Sequence, residues 1–384
     1  MPRADVSEMR HHVADADAVA VAVADDLTDQ LVAIGRFHGL GAVGVARAEV
    51  FTDTRRHLFD RRQRGLNGSM QFTYRNPERS TDPRRILPGA RSLVVGAWSY
   101  GSDEPTSATD QSGPSRPTGR VARYAWRDHY ASLRRALAPI AERLEADGWR
   151  ATVVCDDNAL VDRAAAHQAG LGWFGKNTLM LLPGLGSWFV LGTVVTDAPL
   201  RAAGGSSPTP APHGEGCGSC TRCLTACPTG ALVAPGVLDA RRCLAWLVQA
   251  PGSFPPEYRQ ALGDRIYGCD ECQRACPINR VADRRVPPPP APADSQAEVD
   301  LLGLLDATDE ELLDRHGRWY IADRNPRYVR RNALVALGNT GDGDDPATVE
   351  ALRRAVDDPD EIIAEHAAWA ARRLGRADLA GDPA

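Results

Sequence analysis

Apolar residues in the first half of the chain follow the short runs and spacings of a mixed α and β region. Runs bounded by turn-forming residues predict strands at 42–46, 91–98 and 151–154. A helical period of apolar residues follows over 133–140, and residues 159–169 predict a further helix that Gly170 ends. We expect an α/β region over 26–200, in which ligands gather at the carboxyl ends of strands.

Two more apolar runs, 178–182 and 187–195, are joined by Pro183-Gly184-Leu185-Gly186 and predict a β-hairpin. The loop before them, Gly172-Trp173-Phe174-Gly175-Lys176-Asn177, is punctuated by glycines, which let a backbone approach a ligand closely. Its lysine and asparagine are candidate ligand contacts. The spacing is a weak signal, because a loop lysine is more often solvated than bound.

The second half of the chain changes composition at a segment rich in Gly, Pro and Ser and again at a run of four prolines. Beyond the prolines, Asn332-Ala333-Leu334-Val335-Ala336 recurs 34 residues later as His366-Ala367-Ala368-Trp369-Ala370, which predicts stacked helix pairs of the HEAT type. The expected fold is therefore α+β and multidomain. Its predicted parts are a disordered extension at 1–25, the α/β region at 26–200, a linker at 201–216, a cysteine-rich segment at 217–283, a proline-rich linker at 284–297 and a helical tail at 298–384.

Composition narrows the functional class only slightly. The 384 residues are 43% hydrophobic and 25% charged, as in ordinary globular proteins, and the length exceeds what one hydrophobic core fills. No run approaches the roughly 20 apolar residues of a membrane span, and no leader is visible, so we expect a cytoplasmic monomer without a membrane partner. The net charge of −5 argues against indiscriminate nucleic-acid binding but leaves a local basic face open.

Eight of the nine cysteines lie in one third of the chain and carry the strongest chemical signal. Four are spaced C-x2-C-x2-C-x3-C before Pro228, and the last of the others precedes Pro277. In bacterial two-cluster ferredoxins, three close thiolates hold one iron–sulfur cube and the cysteine before proline binds the other. The pattern predicts two [4Fe-4S] clusters, the first on Cys217, Cys220, Cys223 and Cys276, and the second on Cys227, Cys243, Cys269 and Cys272.

Two other interpretations of these cysteines are weaker. Zinc sites also use C-x2-C pairs, but they close with four ligands and do not call for two C-x3-C-P endings. A disulfide framework needs an oxidising compartment. Cys155 is distant from the motif and is predicted to be the one cysteine that binds no cluster.

Two further groups of polar residues are candidates. Asp156, Asp157 and Asn158 follow a predicted strand, where they are either ligand contacts or simply turn and capping residues, with Asn158 as a possible helix N-cap. An arginine row enters the tail at Arg324, Arg327, Arg330 and Arg331. It is either a solvated face or a phosphate-binding surface.

Taken together, the cysteine pattern, Asp156, the glycine-punctuated loop and the arginine-bearing tail resemble the epoxyqueuosine reductases over roughly residues 40 to 375. The resemblance implies a cobalamin enzyme that reduces an epoxide on the modified anticodon-loop base of a tRNA to an alkene. It also implies that two iron–sulfur clusters supply the electrons and that an external donor feeds them. The family core is also similar to that of the reductive dehalogenases.

Residue by residue, the resemblance implies that Asp156 is the proton donor and that Asp162 stands where the family often has glutamate. Tyr124-Ala125-Trp126 matches a segment near the corrinoid, although its aromatic rings also fit an ordinary helix start. Arg127 replaces a common glycine there, and His129-Tyr130 reverses the usual order. The implied cofactor contacts are Arg123, Tyr124, Asp156, Lys176 and Asn177, and the implied tRNA contacts are the four tail arginines.

Two rival functions remain at this point. A corrinoid-dependent reductive dehalogenase usually carries an export leader and has no need of an arginine-rich tail. A ferredoxin-type electron carrier would leave the whole α/β region without a task. A corrinoid spectrum argues against the carrier, and activity on modified tRNA argues against the dehalogenase.

Overall fold

The structure is a computed structural model, and it describes residues 26–105, 116–202, 215–285 and 288–380. The expected extension at 1–25 and most of the expected linker at 201–216 lie outside the described residues. Among the helices within those ranges, none has the length and apolarity that crossing a lipid bilayer requires.

Helices and strands are distributed over all three predicted parts. The helices are α1 (26–37), α2 (Thr52–Gln63), α3 (Pro77–Ser80), α4 (His129–Ala146), α5 (Asp162–Gln168), α6 (Arg222–Thr225), α7 (Leu244–Leu247), α8 (Pro256–Leu262), α9 (Glu271–Arg274), α10 (Pro277–Arg285), α11 (Leu301–Asp306), α12 (Asp309–His316), α13 (Arg327–Thr340), α14 (Pro346–Val356) and α15 (Glu361–Arg373). The strands are β1 (Ala42–Arg47), β2 (Ser92–Ser99), β3 (Thr118–Val121), β4 (Ala151–Cys155), β5 (Trp173–Phe174), β6 (Met180–Leu181), β7 (Phe189–Thr196), β8 (Leu232–Ala234), β9 (Val237–Leu238), β10 (Arg265–Tyr267) and β11 (Glu298–Asp300).

The largest sheet has the strand order β1-β2-β7-β4, and each neighbouring pair in it is antiparallel. Alternate residues of its strands point to opposite faces, so Val94 packs in the core under α1 and α4 while Val95 packs in the core under α5. The three predicted strands are confirmed. The expected α/β sheet is wrong, however, because all of these pairs are antiparallel. The rule that ligands gather at the carboxyl ends of strands applies to parallel strands. The position of Asp156 at a strand end therefore does not by itself indicate a ligand site.

Two local predictions also need correction. β6 pairs with β5, and β7 lies between β2 and β4, so the predicted hairpin is reduced to one bridge between Leu182 and Gly186. The long apolar run of β7 buries both its faces at the centre of the sheet, which an isolated hairpin could not do. Helix α5 begins later than expected, with Val161 as its N-cap. Asn158 instead accepts a hydrogen bond of 3.1 Å from Arg79 Nη1.

A smaller sheet joins the three predicted parts of the chain. Its order is β10-β3-β11, with β10 from the cysteine-rich segment, β3 from the first part and β11 from the start of the tail. Gly119 in β3 has no room for a side chain, because a Cβ there would lie 2.6 Å from Leu301 Cδ2. One hydrophobic core then continues from this sheet into the tail.

The tail is a stack of helices in which α13 packs against α11 and α15, and α14 packs against α11 and α15. Helix α12 starts with a capping box, in which the Thr308 hydroxyl accepts from Glu311 N and the Glu311 carboxylate accepts from Thr308 N. The two recurring sequence segments lie on α13 and α15. The repeat therefore marks two helices that contact each other.

Candidate active site and cluster-binding segment

The clustered cysteines fall into two neighbourhoods. Burial raises the pKa of the Cys223 thiol, and the nearby thiols of Cys217 and Cys276 raise it further. The Cys220 amide donates to the Cys217 carbonyl at 3.0 Å, which keeps Cys220 next to this group. We call these four residues the first cluster position.

The other four cysteines form the second cluster position. Burial raises the pKa of Cys272 well above its ordinary value, and Cys269, Cys243 and Cys227 are the next causes. The sequence pattern predicts the same grouping, although Cys223 of the first position also contributes to the raised pKa of Cys272, and the ligand assignment stays a prediction. All nine cysteines of the chain are unpaired thiols.

Among the described residues, no three His, Cys, Asp or Glu side chains converge on a point that would hold a single ion. Thiolates around a four-iron cube bind different irons, so cluster ligands are not expected to converge in that way.

The two cluster positions differ in depth. The residues on both sides of Cys217 and of Cys220 are exposed, although Cys223 and Cys276 of the same position are buried. The residues on both sides of Cys269 at the second position are buried. The second position also adjoins Tyr124, whose pKa is raised by burial and then by nearby groups that include Cys243 and Cys269. The first position is thus nearer the surface, and the second is nearer the predicted corrinoid wall.

Lys176 and Asn177 hold the cysteine-rich segment 217–283, from here on called the cluster-binding segment, in place. Lys176 Nζ donates to the carbonyl oxygens of Gly218 and Cys220 at 2.6 and 3.0 Å. Asn177 is buried, and its side-chain amide donates to the Cys272 carbonyl at 3.5 Å. The structure thus gives both side chains other partners than the corrinoid contact that the resemblance implied. They connect the glycine-punctuated loop to both cluster positions.

Arg123 and Tyr124 lie where the first part of the chain meets the cluster-binding segment. The Arg123 amide donates to Asp270 Oδ2 at 3.1 Å, and its guanidinium lies 4.5 Å from the Trp188 ring centroid. Its Nε and Nη1 atoms are buried and have no hydrogen-bond partner among the described residues. A Cβ on Gly268 would lie 2.5 Å from the Tyr124 hydroxyl oxygen, so glycine is required beside this ring.

Asp156 occupies a strained turn directly after β4. Its φ of 51° lies in the left-handed region, which costs a residue other than glycine about 1–3 kcal/mol and is typical of functional sites. The side chain retains solvent-exposed surface, yet the surrounding protein removes part of its hydration. This desolvation raises the pKa of the Asp156 carboxyl, while the positive charge of Arg134 opposes the rise.

More titratable groups surround this turn. Burial, and then the charge of Asp156, raise the pKa of Asp162 well above its ordinary value, and Asp162 Oδ1 is buried without a hydrogen-bond partner among the described residues. Burial raises the pKa of Tyr130 and of Tyr267, and Asp156 adds to both shifts. The region is therefore a cleft with low hydration, lined from β4, α4, α5 and the cluster-binding segment.

Sequence reasoning named Tyr130 only within the segment near the corrinoid, and it did not single out Tyr267 or Arg134. Arg134 Nη2 donates to the Cys155 carbonyl at 3.1 Å, and Arg134 lies one turn along α4 from Tyr130. Helical spacing of the two could have indicated a shared face. Tyr267 immediately precedes Gly268 and Cys269, and no local pattern brings it near Asp156.

Cys155 has a structural environment. Its pKa is raised to about 12, with burial as the main cause, and its Sγ lies where a Cβ on Gly192 would stand, at 2.4 Å. A protonated, packed thiol of this kind behaves as a small apolar side chain.

The structure contradicts one of the expected tRNA contacts. Arg331 is fully buried, and its guanidinium donates to the carbonyl oxygens of Leu247, Ala250 and Gly252 at 3.0, 2.8 and 2.6 Å. Neighbouring Asn332 adds bonds to the carbonyls of Val248 and Ile266. Arg331 therefore joins the tail to the cluster-binding segment, and a phosphate cannot reach it in this structure.

The other three arginines are more accessible. Arg330 Nη1 pairs with Asp309 at 2.5 Å, and Arg327 Nη1 pairs with Asp360 at 3.4 Å. Arg324 is exposed, and among the described residues its guanidinium donates only to the Gly317 carbonyl, at 3.2 Å. It has φ 51° and follows Asp323 at φ 53°, so two consecutive residues other than glycine are left-handed. Arg324 is thus the least committed of the four.

Comparison with known proteins places this geometry in a family. The family model described as "Epoxyqueuosine reductase QueG, DUF1730" matches residues 80–157, and the one described as "4Fe-4S double cluster binding domain" matches residues 216–279. The epoxyqueuosine reductase of Xanthomonas campestris is 35% identical over 93% of this chain and 99% of its own. This chain belongs to the epoxyqueuosine reductase family. A Bacillus cereus member is 32% identical over 91% of this chain and 90% of its own.

Solved structures agree with this assignment. An epoxyqueuosine reductase described with an epoxyqueuosine-modified tRNA stem loop superposes with a TM-score of 0.80 at 31% identity, covering 91% of this chain and 90% of that one. A Bacillus subtilis epoxyqueuosine reductase, described with an aspartate catalytic loop swung out of the active site, gives a TM-score of 0.78 at 30% identity over 92% of both chains. Both solved structures therefore share the overall fold of this chain over about nine-tenths of its length.

Proposed function

We propose that the protein reduces epoxyqueuosine to queuosine in the anticodon loop of a tRNA. The observation that carries the proposal is the strained Asp156 turn, because a carboxyl group with raised pKa lies in one cleft with groups from the cluster-binding segment. Family membership supplies the substrate class. The reaction takes two electrons and two protons and releases the epoxide oxygen as water.

The chain offers suitable ligands for two iron–sulfur clusters. Eight thiols in two neighbourhoods match two four-thiolate sets, and both sets have half-buried or buried members. Lys176 and Asn177 would support these sets from outside by fixing the backbone next to Cys220 and Cys272. The gradient of depth suits one-electron transfer from the surface towards the cleft.

We propose that a corrinoid binds in this cleft. Arg123 has two buried nitrogen atoms free for a polar group, and Tyr124 lies beside the second cluster position. A cobalamin bound here would supply a reduced cobalt centre, which attacks strained carbon–oxygen bonds readily. We therefore assign Arg123 and Tyr124 to the corrinoid wall, and leave Lys176 and Asn177 outside it.

Asp156 then acts as the proton donor. Because low hydration raises the pKa of its carboxyl, a larger fraction stays protonated near neutral pH than for an ordinary aspartate. Arg134 limits this rise. A positioned acid of this type accelerates proton transfer by about 10²–10⁴-fold.

The tail would hold the tRNA backbone. We propose Arg324 and Arg327 as phosphate contacts, with Arg330 available if its bond to Asp309 opens. Phosphate contacts position a nucleic acid without reading its bases. The recurring segments on α13 and α15 support a HEAT-like arrangement, which presents such contacts on one side of stacked helices.

One assay tests the whole proposal. Cluster-loaded protein with cobalamin and a chemical reductant is incubated with tRNA that carries epoxyqueuosine, and the nucleosides are analysed by mass spectrometry. Conversion to queuosine is expected. Reduction of a halogenated aromatic compound with no change in the tRNA would instead support the dehalogenase alternative.

A further inference from the structure

A basic groove lies beside the first cluster position. It has a volume of about 500 Å³ and is lined by Arg222, Pro277, Arg280, Asp283 and Arg284. The three arginines are exposed. None of them forms an ion pair with an acid within the part of the chain that the structure describes. The groove carries a net positive charge even with Asp283 in its wall.

The arginines are fixed to the cluster ligands by short stretches of backbone. Arg222 opens α6 between Cys220 and Cys223, and α10, which carries Arg280 and Arg284, starts directly after Cys276. Arg284 Nε donates to the Arg280 carbonyl at 3.1 Å, which keeps both side chains on one face of α10. Three positive charges without an ion pair among the described residues therefore lie beside the first cluster position.

This placement matters because an electron must enter from outside. The residues beside Cys217 and Cys220 are exposed and those beside Cys269 are buried, so the first position is the one that an external donor can approach. A small neutral reductant would gain nothing from a basic groove. A protein carrier with an acidic face would gain orientation and a faster encounter from it.

We propose that this groove is the docking surface for a small acidic protein that carries one electron. This inference rests on the proposed function only in that the first cluster is the electron entry. In each encounter the reduced carrier loses one electron and the first cluster gains it. Two encounters therefore supply the two electrons that one epoxide consumes.

The test uses the complete cluster-loaded chain and reduced flavodoxin, an acidic one-electron carrier, without tRNA or cobalamin. The variant is Arg222→Glu/Arg280→Glu/Arg284→Glu. At low ionic strength we expect the bimolecular rate of cluster reduction to fall about tenfold or more, since electrostatic steering contributes about 10–10³-fold to such rates. Calorimetry with oxidised flavodoxin should show weaker binding, and added salt should slow the wild type more than the variant.

Reduction by photoreduced deazaflavin, a neutral small molecule, should be unchanged, which separates docking from damage to the clusters. In the matched control, glutamate replaces three exposed arginines of the region 26–200, Arg36, Arg91 and Arg135. This control has the same change of net charge as the groove variant. Reduced flavodoxin should reduce the clusters of this control at the wild-type rate. If the glutamate variant loses iron, the Arg222→Gln/Arg280→Gln/Arg284→Gln variant replaces it and should give a smaller decrease.

Equal reduction rates for the groove variant and the wild type would overturn the proposal. So would equal losses in the groove variant and the control, which would show a net-charge effect. Weaker binding of a tRNA stem loop with unchanged flavodoxin kinetics would assign the groove to the nucleic acid instead. No step of this test uses the epoxide. Its result can therefore be interpreted even if the protein does not reduce epoxyqueuosine.

Discussion

The Asp156 turn and the Arg331 site both place charged groups in partly or fully dehydrated surroundings, but they are built in opposite ways. Arg331 is fully buried, and its guanidinium donates hydrogen bonds to backbone carbonyls and to the Asn332 side chain. Asp156 has a strained backbone, a raised pKa and a neighbour, Asp162, with an unpartnered oxygen. A satisfied buried charge fixes the structure, whereas a strained and incompletely satisfied one is available for chemistry.

The largest effect is expected for Asp156→Asn, which keeps the shape and removes the acid. The rate of epoxyqueuosine reduction at saturating tRNA should fall by about 10²–10⁴-fold. Iron content, the corrinoid spectrum and stability should stay as in the wild type. Single-turnover nucleoside analysis measures this, and full turnover in the variant would refute the assignment.

The wild-type pH profile provides a second check on Asp156. Because the pKa of its carboxyl is raised, the protonated donor persists to higher pH than for an ordinary aspartate, and the rate falls as pH rises through that raised pKa. Arg134→Gln removes the opposing positive charge, so the falling limb should move to higher pH. A shift to lower pH would contradict the electrostatic argument.

Arg331→Met tests the other side of the comparison. It leaves the carbonyls of Leu247, Ala250 and Gly252 without their donor, so the free energy of unfolding should drop by about 3–5 kcal/mol. Urea denaturation of the cluster-loaded protein measures this loss. Arg324→Gln, on the same tail but exposed, should change stability by less than about 0.5 kcal/mol. Similar losses for both would mean that Arg331 is not a structural link.

Two cysteines give a further contrast. Cys243→Ala should lower iron content and the cluster absorbance, because the second cluster position loses one of its four thiolates. Cys155→Ala should keep full iron content, since this thiol is packed against Gly192 and protonated. Iron analysis of both purified variants decides the matter, and the opposite pattern would reverse the ligand assignment.

The smallest effect is expected for Arg324→Gln/Arg327→Gln. If both contact phosphates, tRNA binding should weaken, and the slope of log K against log salt should become shallower by about 0.7 for each lost contact to single-stranded RNA. The rate at saturating tRNA should be nearly unchanged. Fluorescence anisotropy at several salt concentrations measures this, and identical slopes would leave both arginines as solvated surface.

Local sequence was sufficient to predict a two-cluster segment, which the family model of a 4Fe-4S double cluster binding domain supports over residues 216–279, whereas the assignment of each cysteine to a cluster stays a prediction. It was also sufficient for the three strands and the tail helices. It could not give the antiparallel order β1-β2-β7-β4, because strand pairing depends on contacts between residues far apart in the chain. The predicted hairpin failed for the same reason.

The arginine row shows a signal that was present but not used. Tyr328, Arg331 and Val335 are spaced three and four residues apart, so they share one face of α13, and all three are buried. An arginine on the apolar face of a helix is a candidate for a buried bond network. The neighbours that accept its hydrogen bonds come from residues 247–252, and no pattern in the sequence identifies them.

The mixed sheet β10-β3-β11 has a consequence for how the protein is made. β3 is synthesised long before either of its partners, and its second edge is completed only when β11 emerges after the cysteine-rich segment. The tail is thus not an appendage added to a finished enzyme. A chain that ends before Glu298 leaves one edge of β3 open to pairing with another molecule. Completion of the fold is for this reason an event of late synthesis, when the whole chain is available.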